Sequence, residues 1–319
     1  MNEIEVIASK HLGKAGDGSV VKPYVTPDTV DASLLVGVPR ILNRTAYEID
    51  EDDLPFKGAD TWNCYEFSTL TNNGFPVTGL MRIVYNSNSK CIVESKSLKL
   101  YLNSFNMMRN GDTVEEVIEN VEYQVYNDLT PLLFDTPADH SFSYLSNGVQ
   151  VALVFEDSNV TKPITGDFWS IENYIDPTRV SFDHFNESPD ILEVIDSSDS
   201  ITNRWRSAVL RSNCRVTNQP DWGDVYIAIR GKKTVTPTSL LQYIVSMRKE
   251  NHFHEEICEC IYKRLYDLLA PEELFVTCLY TRRGGIDINP VRADSVNTIN
   301  KYGTNLVNEQ QANFKTLRQ

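Results

Sequence analysis

The chain has 319 residues, 41% of them hydrophobic and 23% charged, a balance that supports a sizeable core and up to two domains of ordinary size. Its formal net charge of −14 excludes broad binding to nucleic acid backbones or anionic membranes, because neutralising phosphates takes a basic surface. No run of apolar residues is long enough to span a membrane, and the opening M-N-E-I-E-V-I is acidic where a secretory leader is basic; a soluble cytoplasmic protein is expected, with its six cysteines as reduced thiols.

Taken in chain order, residues 1–40 show no strong periodicity and are expected as an N-terminal extension. Their G-K-A-G-D-G at 13–18 follows no strand and matches no phosphate-loop pattern. A first module is expected over 41–183. In it G-L-M-R-I-V-Y (79–85) and K-C-I-V-E (90–94) read as strands, and the stretches from Ser97 and up to Phe134 read as two helices. Residues 184–200, rich in Asp, Ser and Glu, predict a linker. In the second module, 201–292, W-G-D-V-Y-I-A-I-R-G (222–231) reads as strand. A helical stretch follows from Ser239, then a helix whose apolar stripe is Ile257, Ile261, Leu265 and Leu268, ending at A-P-E-E. F-V-T-C-L-Y (275–280) closes the module as a strand, and 293–319 form a tail.

The two helical regions align with each other. Ser97, Tyr101 and Ser104 match Ser239, Tyr243 and Ser246 without a gap, and Tyr126 and Pro131 match Tyr266 and Pro271 after a small length change. An internal duplication follows, with each copy an α+β unit of antiparallel sheet backed by a helix pair.

Four constellations could carry chemistry. Cys214 stands in R-S-N-C-R-V-T-N-Q-P-D-W-G (211–223), among residues that build turns and exposed edges, with Asp221 seven positions on. A thiol attacks as thiolate, and a carboxyl group beside it can take and return the proton. Pro220 and Gly223 would fold the segment back to bring Asp221 to the sulfur; the alternative is an ordinary turn with an inward-packing cysteine. In N-H-F-H-E-E-I-C-E-C (251–260), His252, His254, Cys258 and Cys260 could be read as a metal cluster, but Cys258 and Cys260 fall about 200° apart on a helix and fit core packing better. His254 and Glu255 instead suit proton transfer beside hydrogen bonding of a heterocycle. Lys96 and Lys99 follow Glu94 at a strand-to-helix junction and read either as solvated charges or as an anion site. Arg282 and Arg283 precede two glycines in Y-T-R-R-G-G-I-D-I-N-P (280–290), a turn or a phosphate grip.

Together, E-S-K-S-L-K-L-Y-L-N-S-F-N, S-N-C-R-V-T-N-Q-P-D-W-G, F-H-E and R-R-G-G-I-D-I-N-P, in this order, resemble the NADPH-dependent 7-cyano-7-deazaguanine reductases, the QueF nitrile reductases of queuosine biosynthesis. D-T-W-N-C-Y-E-F-S (60–68) resembles the family's opening segment. The resemblance spans roughly residues 40 to 292. The duplication fits the long two-module branch, whose modules have the tunnelling fold with sheets that join into barrels, and a homodimer is expected by analogy. This chain carries extra residues at both ends.

The resemblance implies a reaction and its residues. Cys214 matches the nucleophile that attacks the nitrile carbon to form a covalent thioimide, and Asp221 the proton donor. A first hydride from NADPH gives a thiohemiaminal, which collapses to an imine, and a second gives 7-aminomethyl-7-deazaguanine. Glu255 would accept hydrogen bonds from the base, with His254 as a further proton carrier and Phe253 covering the ring. Glu94, flanked by Val93 and Ser95, matches a second substrate contact. Ser95, Lys96, Arg283 and Gly284 match the NADPH positions, and no metal is implied. Members lacking the E-S-K-S-L-K motif are linked to amidine formation on modified tRNA; the motif is intact here. A zinc-dependent cyclohydrolase of the same fold and a non-catalytic purine or pterin binder are the alternatives.

Overall fold

The computed structural model describes residues 27, 29–136, 144, 148–154, 168–176, 178–303 and 319. The glycine stretch at 13–18, most of the expected N-terminal extension and residues 304–318 of the expected tail lie outside the described residues. The elements in chain order are β1 (Gly37–Pro39), α1 (Ile41–Arg44), β2 (Lys57–Leu70), β3 (Pro76–Asn86), β4 (Cys91–Val93), α2 (Ser95–Asn103), α3 (Val114–Leu133) and β5 (Val149–Val154), followed by β6 (Trp169–Ser170), β7 (Val194–Asn213), β8 (Pro220–Val235), α4 (Pro237–Ser246), α5 (His254–Leu269), β9 (Glu273–Tyr280), β10 (Ile286–Ala293) and α6 (Val296–Gly303). The chain divides into two compact units. One holds Met1–Leu42, Thr61–Asn159 and Arg283–Asp287, the other Asn43–Asp60, Val160–Arg282 and Ile288–Gln319. No described helix is long and apolar enough to cross a membrane.

In the first unit the strands lie in the order β5-β3-β2, with β3 and β5 antiparallel from Leu80 opposite Val154 to Tyr85 opposite Val149. A separate antiparallel pair joins β1 to β4, Val38 opposite Ile92. The helix α3 begins at Thr113, whose hydroxyl accepts the Glu116 N–H, a cap that satisfies one of the orphan donors of the first turn. Val117, Val121, Val125, Leu129 and Leu133, one every fourth residue, are all fully buried. That stripe is what fastens the helix, since burying each such side chain is worth about 1.5–3 kcal/mol.

The second unit has the strand order β10-β9-β8-β7-β6, antiparallel except for the two-residue β6, which runs parallel to β7. Strands β7 and β8, helices α4 and α5, then β9 and β10 make up the α+β module expected of each copy. Its core joins Leu210, Val225, Ile227 and Ile229 of the sheet to Leu240, Ile244, Ile257, Ile261 and Leu265 of the helices. The apolar stripe of α5 closes on Leu269 and not on Leu268, which is 37% exposed. At 3.6 residues per turn, four steps from Leu265 stay on the buried face and three drift off it. The helix ends where Ala270 turns left-handed at φ 44°, its N–H donating to the Tyr266 carbonyl. Residues 194–200, part of the stretch read as linker, are the first residues of β7.

The duplication holds at atomic detail. Ser97 and Ser239 each stand third in their helix, and each hydroxyl donates to the carbonyl of the N-cap residue, Glu94 and Thr236. Each also accepts a backbone N–H from upstream, from Val36 at 3.1 Å in one copy and Glu193 at 3.0 Å in the other. Ser104 and Ser246 donate to the carbonyls of Tyr101 and Tyr243 and accept from Asp31 and Ser188. Between those upstream donors each copy has a three-residue 3-10 turn, Ala32–Leu34 and Pro189–Ile191. Segments read as extension and as linker are therefore equivalent parts of the repeat. The copies part at the matched prolines: α3 runs through Pro131 to Leu133, whereas α5 stops two residues before Pro271.

Candidate active site

The second unit brings the nucleophile candidate and the candidate proton carriers to one end of its sheet. In the β7–β8 hairpin Ser212 pairs with Asp221 and Asn213 with Pro220, so Cys214 is the first residue past the ladder. Ser212 and Asp221, directly opposed, share one face of the ladder, and Cys214 follows two residues after Ser212. The loop closes through Cys214 N–H to the Gln219 carbonyl at 2.8 Å and Asn218 N–H to the Cys214 carbonyl at 2.9 Å. The fold-back expected from Pro220 and Gly223 belongs instead to residues 215–218, where Asn218 is left-handed at φ 56°. Pro220 opens β8, where its missing N–H is harmless. Gly223 serves a close approach: a Cβ there would stand 3.1 Å from the Tyr280 ring. Of the six cysteines Cys214 alone is half-buried; the other five are buried.

Asp221, 3% exposed, meets His254 with Oδ2 3.4 Å from Nε2. His254 is the first residue of α5, and its ring lies flat on Tyr280 at 3.8 Å with an 8° tilt. That stack fixes the imidazole plane, and the enclosed Nδ1 makes no hydrogen bond. Glu255 beside it is 1% exposed, and Phe253 is the N-cap residue. Burial pushes the Tyr280 phenol far above its ordinary value, so it stays protonated. Cys258 and Cys260 are buried against different partners, Cys258 against the carbonyls of Val276 and Pro290 and Cys260 against the Tyr243 hydroxyl. Burial drives both thiols up, which suits packing.

Sequence reasoning missed the residues that brace this end. Arg215, next to Cys214, spans both oxygens of Glu256 from one nitrogen, at 2.8 and 3.0 Å. Glu256 also accepts the Phe253 N–H at 2.9 Å and lies 3.2 Å from His252 Nδ1. The other ring nitrogen of His252 meets the Tyr47 hydroxyl at 2.9 Å and Glu250 at 3.3 Å. Burial opposes the charge on this imidazole, but its two carboxylate partners outweigh that and raise its pKa. The same contact, with help from the Glu187 and Asn186 donors and against partial burial, holds Glu250 down at about 2.

In the first unit Glu94 caps α2. Its two oxygens accept the N–H groups of Lys96 at 3.0 Å and Ser97 at 2.7 Å. Burial raises its pKa and those N–H groups offset part of the rise. The anion site expected on this helix start is thus filled by the protein's own carboxylate. Val93 is buried, with its N–H on the Tyr85 hydroxyl, while Ser95 and Lys96 are exposed. Lys99 donates to Glu66 at 2.8 Å and to the Gly284 carbonyl at 2.6 Å, which brings the glycine turn to α2. Arg283 and Ile286 close that turn with reciprocal backbone bonds, and Gly284 and Gly285 have φ of 58° and 80°. At φ 80° any side chain on Gly285 would be strained, and its Cβ would also displace the Glu66 carboxylate, whose carbon lies 2.4 Å from that position. Exposed Lys96, half-buried Arg283 and a bare glycine backbone are donors suited to the phosphates of a dinucleotide. Lys99, already paired with Glu66, is a poorer one. The cleft lined by Cys64, Glu66, Phe67 and Lys99 has only about 10 Å³ of free volume and takes no base as it stands.

A family model described as "Nitrile reductase, 7-cyano-7-deazaguanine-reductase N-term" matches residues 26–133, and one described as "QueF-like protein" matches residues 220–298. Among solved structures the chain is similar to the one described as "Crystal structure of the archaeosine synthase QueF-Like in the apo form", at 18% identity and a TM-score of 0.27, covering 31% of this chain and 98% of that one. The family matches together span more than half of the sequence and take in the α2 motif on one side and Asp221, His254 and the glycine turn on the other: the chain belongs to the QueF nitrile reductase family.

Proposed function

We propose that this protein reduces the nitrile of 7-cyano-7-deazaguanine to the primary amine of 7-aminomethyl-7-deazaguanine, with Cys214 as nucleophile. The observation that carries the reading is the half-buried Cys214 at the end of a hairpin whose buried Asp221 touches His254. The Cys214 sulfur adds as thiolate to the nitrile carbon, and one of the carbon–nitrogen π bonds becomes a nitrogen lone pair. The Asp221–His254 pair takes the thiol proton and returns it to that nitrogen, giving a neutral thioimide. Glu255 accepts from the N–H groups of the base, and Phe253 covers its face. NADPH, when bound, supplies hydride, two equivalents for each nitrile taken to amine. Ser95, Lys96, Arg283 and Gly284 are the residues proposed to hold its phosphates, and Glu94 and Val93 to complete base recognition. A cytoplasmic homodimer acting ahead of tRNA modification completes the proposal.

The test is intact mass after mixing the protein with 7-cyano-7-deazaguanine in the absence of NADPH. The expected result is a gain of one base on wild type and none on Cys214→Ala. Binding of the base without a mass gain would sink the covalent mechanism and favour a binding protein.

A further inference from the structure

Cys214 is held from both sides by one segment. Its predecessor Asn213 exchanges two backbone bonds with residues 250–252: the Asn213 N–H donates to the Glu250 carbonyl at 2.8 Å, and the His252 N–H donates to the Asn213 carbonyl at 3.1 Å. Its successor Arg215 reaches 41 residues along the chain to both oxygens of Glu256. Glu256 in turn accepts the Phe253 N–H and contacts His252, so the path Asn213, Cys214, Arg215, Glu256, His252 closes on itself. Within that circuit stand Phe253, His254 and Glu255, the start of α5. Of the remaining loop residues Val216 is half-buried, and Thr217, Asn218 and Gln219 are exposed. Glu256 is 3% exposed and the Arg215 side chain 12%, so the ion pair sits largely out of water, where its geometry is stiff.

We infer that Arg215 is a positioning residue: through Glu256 it fastens the Cys214 loop to the first turn of α5 and so fixes where the thiol stands relative to His254 and Asp221. The inference rests on the proposed role of Cys214 as nucleophile. Arg215 touches no reacting atom. Without the pair the loop keeps its hairpin bonds and the Asn213 contacts but loses its side-chain tie to α5, and near-attack geometry is sensitive to displacements of an ångström. The expected signature is a slower chemical step with unaltered affinity for the base, since Phe253 and Glu255 stay on the helix.

The test compares full-length wild type, Arg215→Gln and Arg215→Lys. Amide exchange is followed on peptides covering residues 211–219 and 250–257, with peptides from α2 and β3 reporting that the fold is intact. The rate of adduct formation with 7-cyano-7-deazaguanine is followed by intact mass, and binding of the base by calorimetry on the Cys214→Ala background. For Arg215→Gln the expected result is local exchange and adduct formation changed by about tenfold or more, faster and slower respectively, with affinity within about threefold. Arg215→Lys, which keeps a charge for Glu256, is expected to recover most of the adduct rate. Unchanged local exchange, an unchanged adduct rate, or rate and affinity falling by one common factor would overturn the positioning role. Wild type that forms no adduct would refute the nucleophile assignment itself; the exchange response to Arg215→Gln separates that outcome from failure of the clamp.

Discussion

At the residue scale the site is a set of side chains whose neighbours decide their work. Asp221 and His254 share one contact at 3.4 Å, and the imidazole is clamped on Tyr280. Asp221→Asn keeps the shape but removes the carboxyl group that can accept and return a proton, and is expected to lower adduct formation by about 10²-fold or more while affinity for the base stays near wild type. Single-turnover mass spectrometry and calorimetry separate the two. His252 makes a pH prediction. Its folded pKa is raised above 6.5, so its contribution to stability is complete below that pH and is lost as pH rises through the folded value. Glu250 is lowered from 4.5 to about 2, so its contribution is complete above 4.5 and is lost as pH falls towards 2. The window in which both act lies between. His252→Gln should therefore lower the unfolding temperature most at about pH 5–6 and least at about pH 9, measured by calorimetry across that range. An equal loss at every pH would show that the imidazole acts by shape alone.

At the element scale the twin serines are the signature of the duplication. Each hydroxyl at the third helical position satisfies a backbone N–H from an upstream segment that has little regular structure of its own. Removing it leaves the donor unpaired, a cost of about 1–3 kcal/mol where the bond is buried, as at Val36, and less where it is part-buried, as at Glu193. Ser97→Ala should therefore destabilise more than Ser239→Ala, read from urea denaturation, and each should speed amide exchange in its own upstream segment, Val36 or Glu193. Much of this level was legible in the sequence, because Ser97, Tyr101 and Ser104 repeat as Ser239, Tyr243 and Ser246 at fixed spacing. What was not legible is what those serines hold. The upstream segments match only loosely, D-A-S-L-L from Asp31 against S-P-D-I-L from Ser188, and the donors themselves, Val36 and Glu193, differ, since a backbone N–H donates whatever its side chain is.

At the scale of the whole molecule, the second unit is pinned by buried charge. Arg44 and Arg292, both fully buried, converge on Glu259 through bonds of 2.8–3.1 Å, and Arg292 also reaches Asp60 at 2.9 Å. Both guanidinium groups lie over the Phe56 ring, 5.5 and 5.4 Å from its centre. Glu259→Leu would leave two buried cations short of a partner, and is expected to cost about 3–5 kcal/mol, read as a lowered denaturation midpoint. A loss under about 1 kcal/mol would mean that Asp60 and Glu51 neutralise the pair unaided.

By itself the sequence determined the α+β class, the repeated helix pair and the family, and it singled out Cys214 as the candidate nucleophile, because these rest on local periodicity and on short motifs whose residues are neighbours in the chain. Cys214 could be picked out because a cysteine among turn formers lacks an apolar setting. Only the tertiary structure decided that Asp221 meets His254, that Glu94 caps its own helix, that Leu269 and not Leu268 faces the core, and that Arg215 is tied to Glu256. Contacts such as Arg44 with Glu259 join residues 215 positions apart, and their pairing is set by strand register and helix packing, which no window of sequence contains.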